Sequence, residues 1–429
     1  MDNAVNIEAG NSVFQRIREC KSYCVDKSLL IKEFFKSKGR ASLITRPRGF
    51  GKSLNLSMLK SYLEIGADPE LFKGLEIESE TGIRDAHFGK HPVLHISLAG
   101  VSGESFIECA NSLAQRVCEV CQDLKTLPDY DRLSPDSKND IERLISPPVS
   151  PDLAHLKSGL SILTRALSSY YGKEVVVLID EYDAAILQSI SKGYGNRLLD
   201  FLSGFYSCVL KGNERVEFVA LTGCLRIAGI EDNLVVSTVS DPEYASRFGL
   251  TEEEVAKALA DIGFSGALPS IREWHGGYLF GGKRIYNASS VMSYCKDLQG
   301  NPKAHPKSHW ANSSDDDILQ DVIARAESED LTDLKKYILG EPVKLAMKSE
   351  IAFGDFEDIS SLWSVLVHLG YLAPCDQSPD LFRIPNKEVL GSWLRLTNAS
   401  MTQARRKAKA RQRDPSIDFW IWKSPAAAR

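Results

Sequence analysis

Long apolar runs are missing from this 429-residue chain: none approaches the roughly 18–20 residues that a helix needs to cross a bilayer. No leader shows either, since Met1 to Val13 (MDNAVNIEAGNSV) is polar and carries acids early. Neither sign of charge prevails. The 52 Lys and Arg stand against 57 Asp and Glu, so the chain as a whole is not a general polyanion binder. Collagen-like, mucin-like and wholly disordered compositions are excluded, and no internal repeat is found. The nine Cys are odd in number and scattered from Cys20 to Cys375, which suggests reduced thiols rather than a disulfide framework. These absences predict an intracellular protein without a membrane partner, cytoplasmic, or nuclear in a eukaryotic cell. What remains is an ordinary globular composition, 43% hydrophobic and 25% charged, long enough for two or three domains.

The pattern divides the chain into five parts. Residues 1–40 read as a helical preface and 41–245 as an α/β core with strands at Ala41–Thr45, Pro92–Leu98, Val175–Ile179 and Val216–Leu221. Continuous apolar strands alternating with helices predict a mostly parallel sheet covered on both faces. Ser134–Pro151, rich in Ser, Pro and Asp, reads as a surface loop. A helical lid follows over 246–312, opened by the capping box Thr251–Glu254. Residues 313–395 combine helices with a wing-like hairpin, a winged-helix-like α+β domain, and 396–429 form a basic tail. In that tail Arg405 to Arg413 (RRKAKARQR) carries six basic residues, leaving −11 for the rest of a chain of net charge −5.

The most informative stretch is Arg46-Pro47-Arg48-Gly49-Phe50-Gly51-Lys52-Ser53. A strand, a Gly-containing turn and Lys-Ser opening a helix form the anatomy of a P-loop. Its N–H groups and helix N-terminus hold phosphates, Lys52 reaches the β- and γ-phosphates, and Ser53 ligates Mg²⁺. The standard pattern has Gly where Arg46 stands; Gly49 and Gly51 still supply backbone freedom. Asp180, closing the strand Val175–Ile179, fits a Mg²⁺-orienting carboxylate, and Glu181 fits the base that polarises water. Asp183 is able to share either task. Thr222 ends a further strand where a polar group meets the γ-phosphate or the lytic water, and Arg226 offers charge for phosphoryl transfer in its own site or a neighbour's. Plain alternatives exist for each: a basic strand-to-helix turn, an acidic strand end capping a helix, a strand terminator, a surface cation. The first two motifs gain weight together because both must converge at one sheet edge.

In this order, Tyr23–Ser28 (YCVDKS), Arg46–Ser53, Ile179–Asp183 (IDEYD), Leu221–Arg226 (LTGCLR) and Tyr286-Asn287 resemble the AAA-ATPase-like family, P-loop proteins often fused to a PD-(D/E)xK nuclease-like domain. The likeness covers about 13–310 and continues more loosely to Ile384–Glu388. It implies an ASCE-type P-loop NTPase core binding ATP with Mg²⁺ through Lys52, Ser53, Asp180 and Glu181, and it accounts for the Arg-Pro-Arg loop start. It also suggests that Asp26 and Lys27 sit near the nucleotide. Three departures stand out. Gly49 replaces a second Arg, the Ser/Asn-rich segment after Arg226 is reduced to Ile230–Asn233, and the 41 residues after Glu388 hold no paired Asp…Glu-x-Lys. No nuclease activity is therefore expected.

The expected function is a slow, regulatory Mg-ATPase coupling nucleotide state to the lid and C-terminal domain, acting on a protein client. Two readings stay open: a nucleotide-binding or protein-interaction module without turnover, and a nucleic-acid-binding ATPase using the basic tail. Cys118 and Cys121 form a lone C-x-x-C that reads as packed helix cysteines, and no His pair has metal-site context.

Overall fold

The run Val175–Ile179 becomes a strand buried on both faces because its side chains alternate between two cores. Val175, Val177 and Ile179 join one hydrophobic cluster and Val176 and Leu178 the other. The computed structural model describes residues 5–37, 39–145, 152–230, 234–310, 316–376 and 378–411. Its central sheet holds β1 (Ala41–Thr45), β2 (Val93–Ser97), β3 (Val175–Asp180), β4 (Val216–Gly223) and β5 (Val235–Ser237). The order is β2-β3-β4-β1-β5, and every pairing is parallel. The fold is thus a P-loop NTPase of the ASCE arrangement, with one strand, β4, inserted between the P-loop strand and the strand carrying Asp180.

Parallel register carries the strand ends to one edge. Ile44 pairs with Thr222, Thr45 with Gly223, and Ser97 with Asp180. Helices cover both faces, among them the P-loop helix Lys52–Leu63 on one side and Phe106–Lys125 and Gly195–Leu210 on the other. Cys118 and Cys121 lie on the helix Phe106–Lys125, the first half-buried and the second buried, where loss of hydration pushes the Cys121 thiol up to about 12.

The segment 134–151 is not all loop. Pro135–Ile145 is helical because Ser134 Oγ accepts the Ser137 N–H (3.2 Å), Pro135 stands at the first position, and Ile141 and Leu144 are buried. Residues 146–151 lie outside the described residues.

Beyond β5, the helix Glu252–Asp261 opens with the capping box of Thr251 and Glu254. The helix Leu268–His275, the hairpin β6 (Tyr278–Phe280) and β7 (Lys283–Ile285), and the helix Ala288–Gly300 complete this part. A three-stranded antiparallel sheet then forms from β8 (Val343–Lys344), β10 (Ser378–Arg383) and β9 (Ala373–Cys375), in that order. It packs with the helices Asp316–Arg325, Ser328–Ile338 and Ile359–Leu369. The last helix, Lys387–Arg411, runs straight through position 396 into the basic run; 412–429 lie outside the described residues. Among the described residues no helix is long and apolar enough to cross a membrane.

Candidate nucleotide site

Between β1 and the helix Lys52–Leu63 the chain must turn sharply, and Gly51 makes this possible. It is the helix N-cap with φ +83°, a left-handed conformation that side chains rarely adopt. The N–H groups of the first helical turn are thereby directed out of the sheet edge. Lys52 is buried, and its Nζ donates to Arg46 O (2.7 Å) and Pro47 O (3.0 Å) and lies 3.6 Å from Cys224 Sγ.

Asp180 and Thr222 meet on the neighbouring strands. Thr222 Oγ1 donates to Asp180 Oδ1 at 2.6 Å, and the Glu181 N–H reaches the same oxygen at 3.1 Å. Both bonds fall on Oδ1, which leaves Oδ2 for a cation; this donor set, with the Ser53 hydroxyl, is the hard-oxygen chemistry that Mg²⁺ takes. Glu181 holds φ +52°, an uncommon conformation for a non-glycine residue, and faces the P-loop cleft.

The last two residues of IDEYD act on the strand-end turn instead. Asp183 Oδ2 accepts the N–H groups of Cys224 and Leu225, both at 2.7 Å. Tyr182 OH donates to Leu225 O (2.6 Å) and accepts the Ile227 N–H (3.1 Å). Burial pushes the Asp183 carboxyl up to about 6, although the two N–H groups and the Lys52 charge oppose the shift.

Arg46 is turned into the protein. Its guanidinium donates to Thr45 O, Ser237 O and Glu243 O and lies against the rings of Phe248 and Phe280. Burial lowers it to about 10. It fastens the loop start to β5. Phe50, fully buried, packs edge-on to Tyr278 and beside Phe280 of the hairpin. Arg226 forms an ion pair with Glu350 (3.4 Å) and is not among the cleft's lining residues.

The cleft itself gathers Arg48 to Ser53 and Glu181. Its lining is completed by residues 7–12 and 23–25 and by Leu250, Ala288 and Met292. Lys27 also lines it, donating to Glu254 Oε1 and Oε2 (2.7 and 2.6 Å) and Ser246 O (2.8 Å); burial lowers its affinity for protons and Glu254 restores part of it. Asp26 accepts the N–H group of Ser28 locally and that of Glu76, 50 positions on.

Residue reading of the P-loop did not find what clamps it from outside. Asn287 Nδ2 donates to Arg48 O (3.2 Å), Ser289 N–H to Gly49 O (3.0 Å) and Gly249 N–H to Phe50 O (2.8 Å). A Cβ at Gly49 would stand 2.5 Å from Asn287 Oδ1, so the small residue and the amide fit as a pair. The Tyr286-Asn287 dipeptide was the available signal, but its partner lies 239 positions away.

The family of predicted AAA-ATPases matches residues 8–231. An uncharacterized protein from the vnfD 5′ region of Azotobacter chroococcum mcd 1 is 27% identical over 326 residues, covering 73% of this chain and 55% of the relative. The chain thus spans about half the length of the curated relative it matches. Among solved structures, the Aeropyrum pernix ORC2 protein in its ADPNP–ADP complexes is loosely similar. It has 12% identity and a TM-score of 0.36, over 94% of this chain and 98% of that one. With the family match spanning more than half of its length, this chain belongs to the AAA-ATPase-like family of P-loop proteins.

Proposed function

We propose that the chain binds Mg-ATP in the P-loop cleft and hydrolyses it slowly, as a regulatory step acting on a protein client. The observation that carries this reading is convergence. Lys52, Ser53 and Glu181 line one open cleft, and the buried Asp180–Thr222 pair ends the strands at the same sheet edge.

An ammonium has three protons. Two of those on Lys52 are held by carbonyls, and the third faces a thiol, the weakest acceptor of the three. A phosphate oxygen is the better partner for that third proton. Asp180 and Ser53 would hold Mg²⁺, which supplies charge neutralisation for the phosphates. Glu181 accepts the proton of the attacking water, and it already lines the cleft in which that water would stand. The apolar wall from Ile7, Val25 and Met292 suits a base, whose faces are apolar.

Phosphate release from Mg-ATP by the purified chain, run beside Lys52→Ala and Glu181→Gln, tests the reading. Turnover should vanish in Lys52→Ala with loss of binding. In Glu181→Gln it should fall at least a hundredfold while binding persists. Binding without turnover in the unaltered chain would favour a nucleotide-dependent interaction module. Undiminished turnover in Glu181→Gln would remove the general-base assignment.

A further inference from the structure

Glu388 opens the last helix and is 1% exposed, yet it carries a carboxylate. Burying such a group is costly unless donors surround it. Here four do. Oε2 accepts from His275 Nδ1 at 2.9 Å; Oε1 accepts from Ser290 Oγ at 3.0 Å and from the N–H groups of His309 and Trp310 at 2.6 and 3.0 Å. Two of these donors flank the residue that holds the P-loop. His275 O accepts the Asn287 N–H (3.1 Å), and the Ser290 N–H donates to Asn287 Oδ1 (3.1 Å). Asn287 Nδ2 then donates to Arg48 O. Three hydrogen bonds therefore lead from the C-terminal helix to the phosphate loop.

The segment before Glu388 is seated at the end of the helix Leu268–His275. Asn386 Nδ2 donates to Gly276 O at 2.7 Å, and Pro385 O lies so close to Gly277 that a Cβ there would come within 2.0 Å of it. Further along, Trp393 stacks with Trp363 and Tyr337 of the small domain, so the tilt of the helix is set there.

We propose that Glu388 is a positioning residue for nucleotide binding, fixing Asn287 through His275 and Ser290 and so linking the last helix to the Arg48–Gly49 peptide. This rests on the reading of the P-loop as the nucleotide site. Linkage makes the effect reciprocal: a nucleotide that tightens the loop steadies the start of the last helix by the same free energy.

The test is titration with Mg-bound N-methylanthraniloyl ATP, using the full chain, Lys52→Ala, Glu388→Gln, Ser290→Ala, Asn287→Ala and the Glu388→Gln/Asn287→Ala double variant. Lys387→Gln serves as control, since its ion pair with Glu273 is half-exposed. Glu388→Gln should weaken binding five- to twentyfold, Ser290→Ala severalfold, and Lys387→Gln less than twofold. The double variant should bind no more weakly than Asn287→Ala alone, because the two residues act in series. In the unaltered chain the nucleotide should slow amide exchange at 388–396, and in Asn287→Ala it should not. Equal binding by Glu388→Gln and the unaltered chain overturns the relay, as do losses that multiply in the double variant. Should Glu388→Gln fail to fold, Ser290→Ala and the exchange measurement decide alone. Failure of the unaltered chain to bind, or binding unaffected by Lys52→Ala, overturns the P-loop reading and the relay with it.

Discussion

Asp183 is the most informative single residue, because its role is neither of those its sequence suggests. Two places after Glu181 it reads as a further metal or water carboxylate. Its oxygen instead accepts two N–H groups of the turn after β4, and the same turn holds Cys224 beside Lys52. The strand-end positions of its neighbours were legible from the apolar runs that precede them. Asp180 and Thr222 read as polar strand ends, but that the Thr222 hydroxyl donates to Asp180 is a finding of the structure. Asp183 was not legible, since only the fold shows which main-chain donors lie above it. Its raised carboxyl, about 6 against a usual value near 4, gives a prediction with a definite sign. Between pH 4 and 6 the folded chain binds more protons there than the unfolded chain, so this residue's contribution to stability falls as pH rises through that window. Asp183→Asn keeps an oxygen for both N–H groups and removes the titration. Unfolding midpoints in denaturant, measured from pH 4 to 7.5, should decline less in the variant, by about 2–3 kcal/mol across the window. An identical decline in both proteins would count against a carboxyl raised by burial at Asp183.

At the scale of elements, local signals served well and distant pairings did not. The run Val175–Ile179, the Thr251 capping box and the Lys-Ser helix start are read within a few residues, and each stands where its chemistry puts it. The helix Pro135–Ile145 was hidden because Ser-Pro and Asp signal a loop and a helix start alike, and only the burial of Ile141 and Leu144 decides between them. The seat of 385–388 on His275 and Gly276 was not legible at all, since these partners are about a hundred residues upstream. Glycine gives access to that seat. Gly277 and Gly282 both hold positive φ, +87° and +79°, but only a Cβ at Gly277 meets main chain, Pro385 O; at Gly282 nothing lies within 4 Å. Gly282→Ala should cost about 1–2 kcal/mol from backbone strain alone. Gly277→Ala should cost at least about 2 kcal/mol more, because Pro385 must move and the Asn386–Gly276 bond goes with it. Thermal midpoints of the two variants, compared side by side, separate the clash from the shared strain. Equal midpoints would mean that the 385–388 segment is not tightly seated.

For the whole molecule, the question is how the sheet edge is joined to the small C-terminal domain. The turn after β4 continues the clamp of Tyr182 and Asp183 into a main-chain bridge: Ile351 N–H donates to Arg226 O and Ala228 N–H to Ile351 O, both at 2.9 Å. Ile351 is fully buried in the cluster that also contains Leu225, Ile227 and Leu366, so the two parts share one core. Arg226 belongs to this junction through Glu350, and both side chains are about a third exposed, at 29% and 37%. An ion pair so placed contributes at most about 1 kcal/mol. If the junction is the whole of its role, Arg226→Ala should lower stability by less than that and leave Mg-ATP turnover within about threefold, a change worth under 1 kcal/mol of barrier. Ile351→Ala, which opens a cavity in the shared core, should cost about 2–5 kcal/mol. A finger arginine acting on a neighbouring subunit gives a different pattern. Arg226→Ala would then lose about a hundredfold or more in turnover, and mixing it with Lys52→Ala would restore activity in assemblies that pair an intact P-loop with an intact Arg226. We expect no such rescue, because the guanidinium is engaged with Glu350 of its own chain and its main chain is pinned on both sides by Ile351. Rescue on mixing would show that this junction opens in the working assembly and that Arg226 leaves Glu350 to reach a partner's nucleotide.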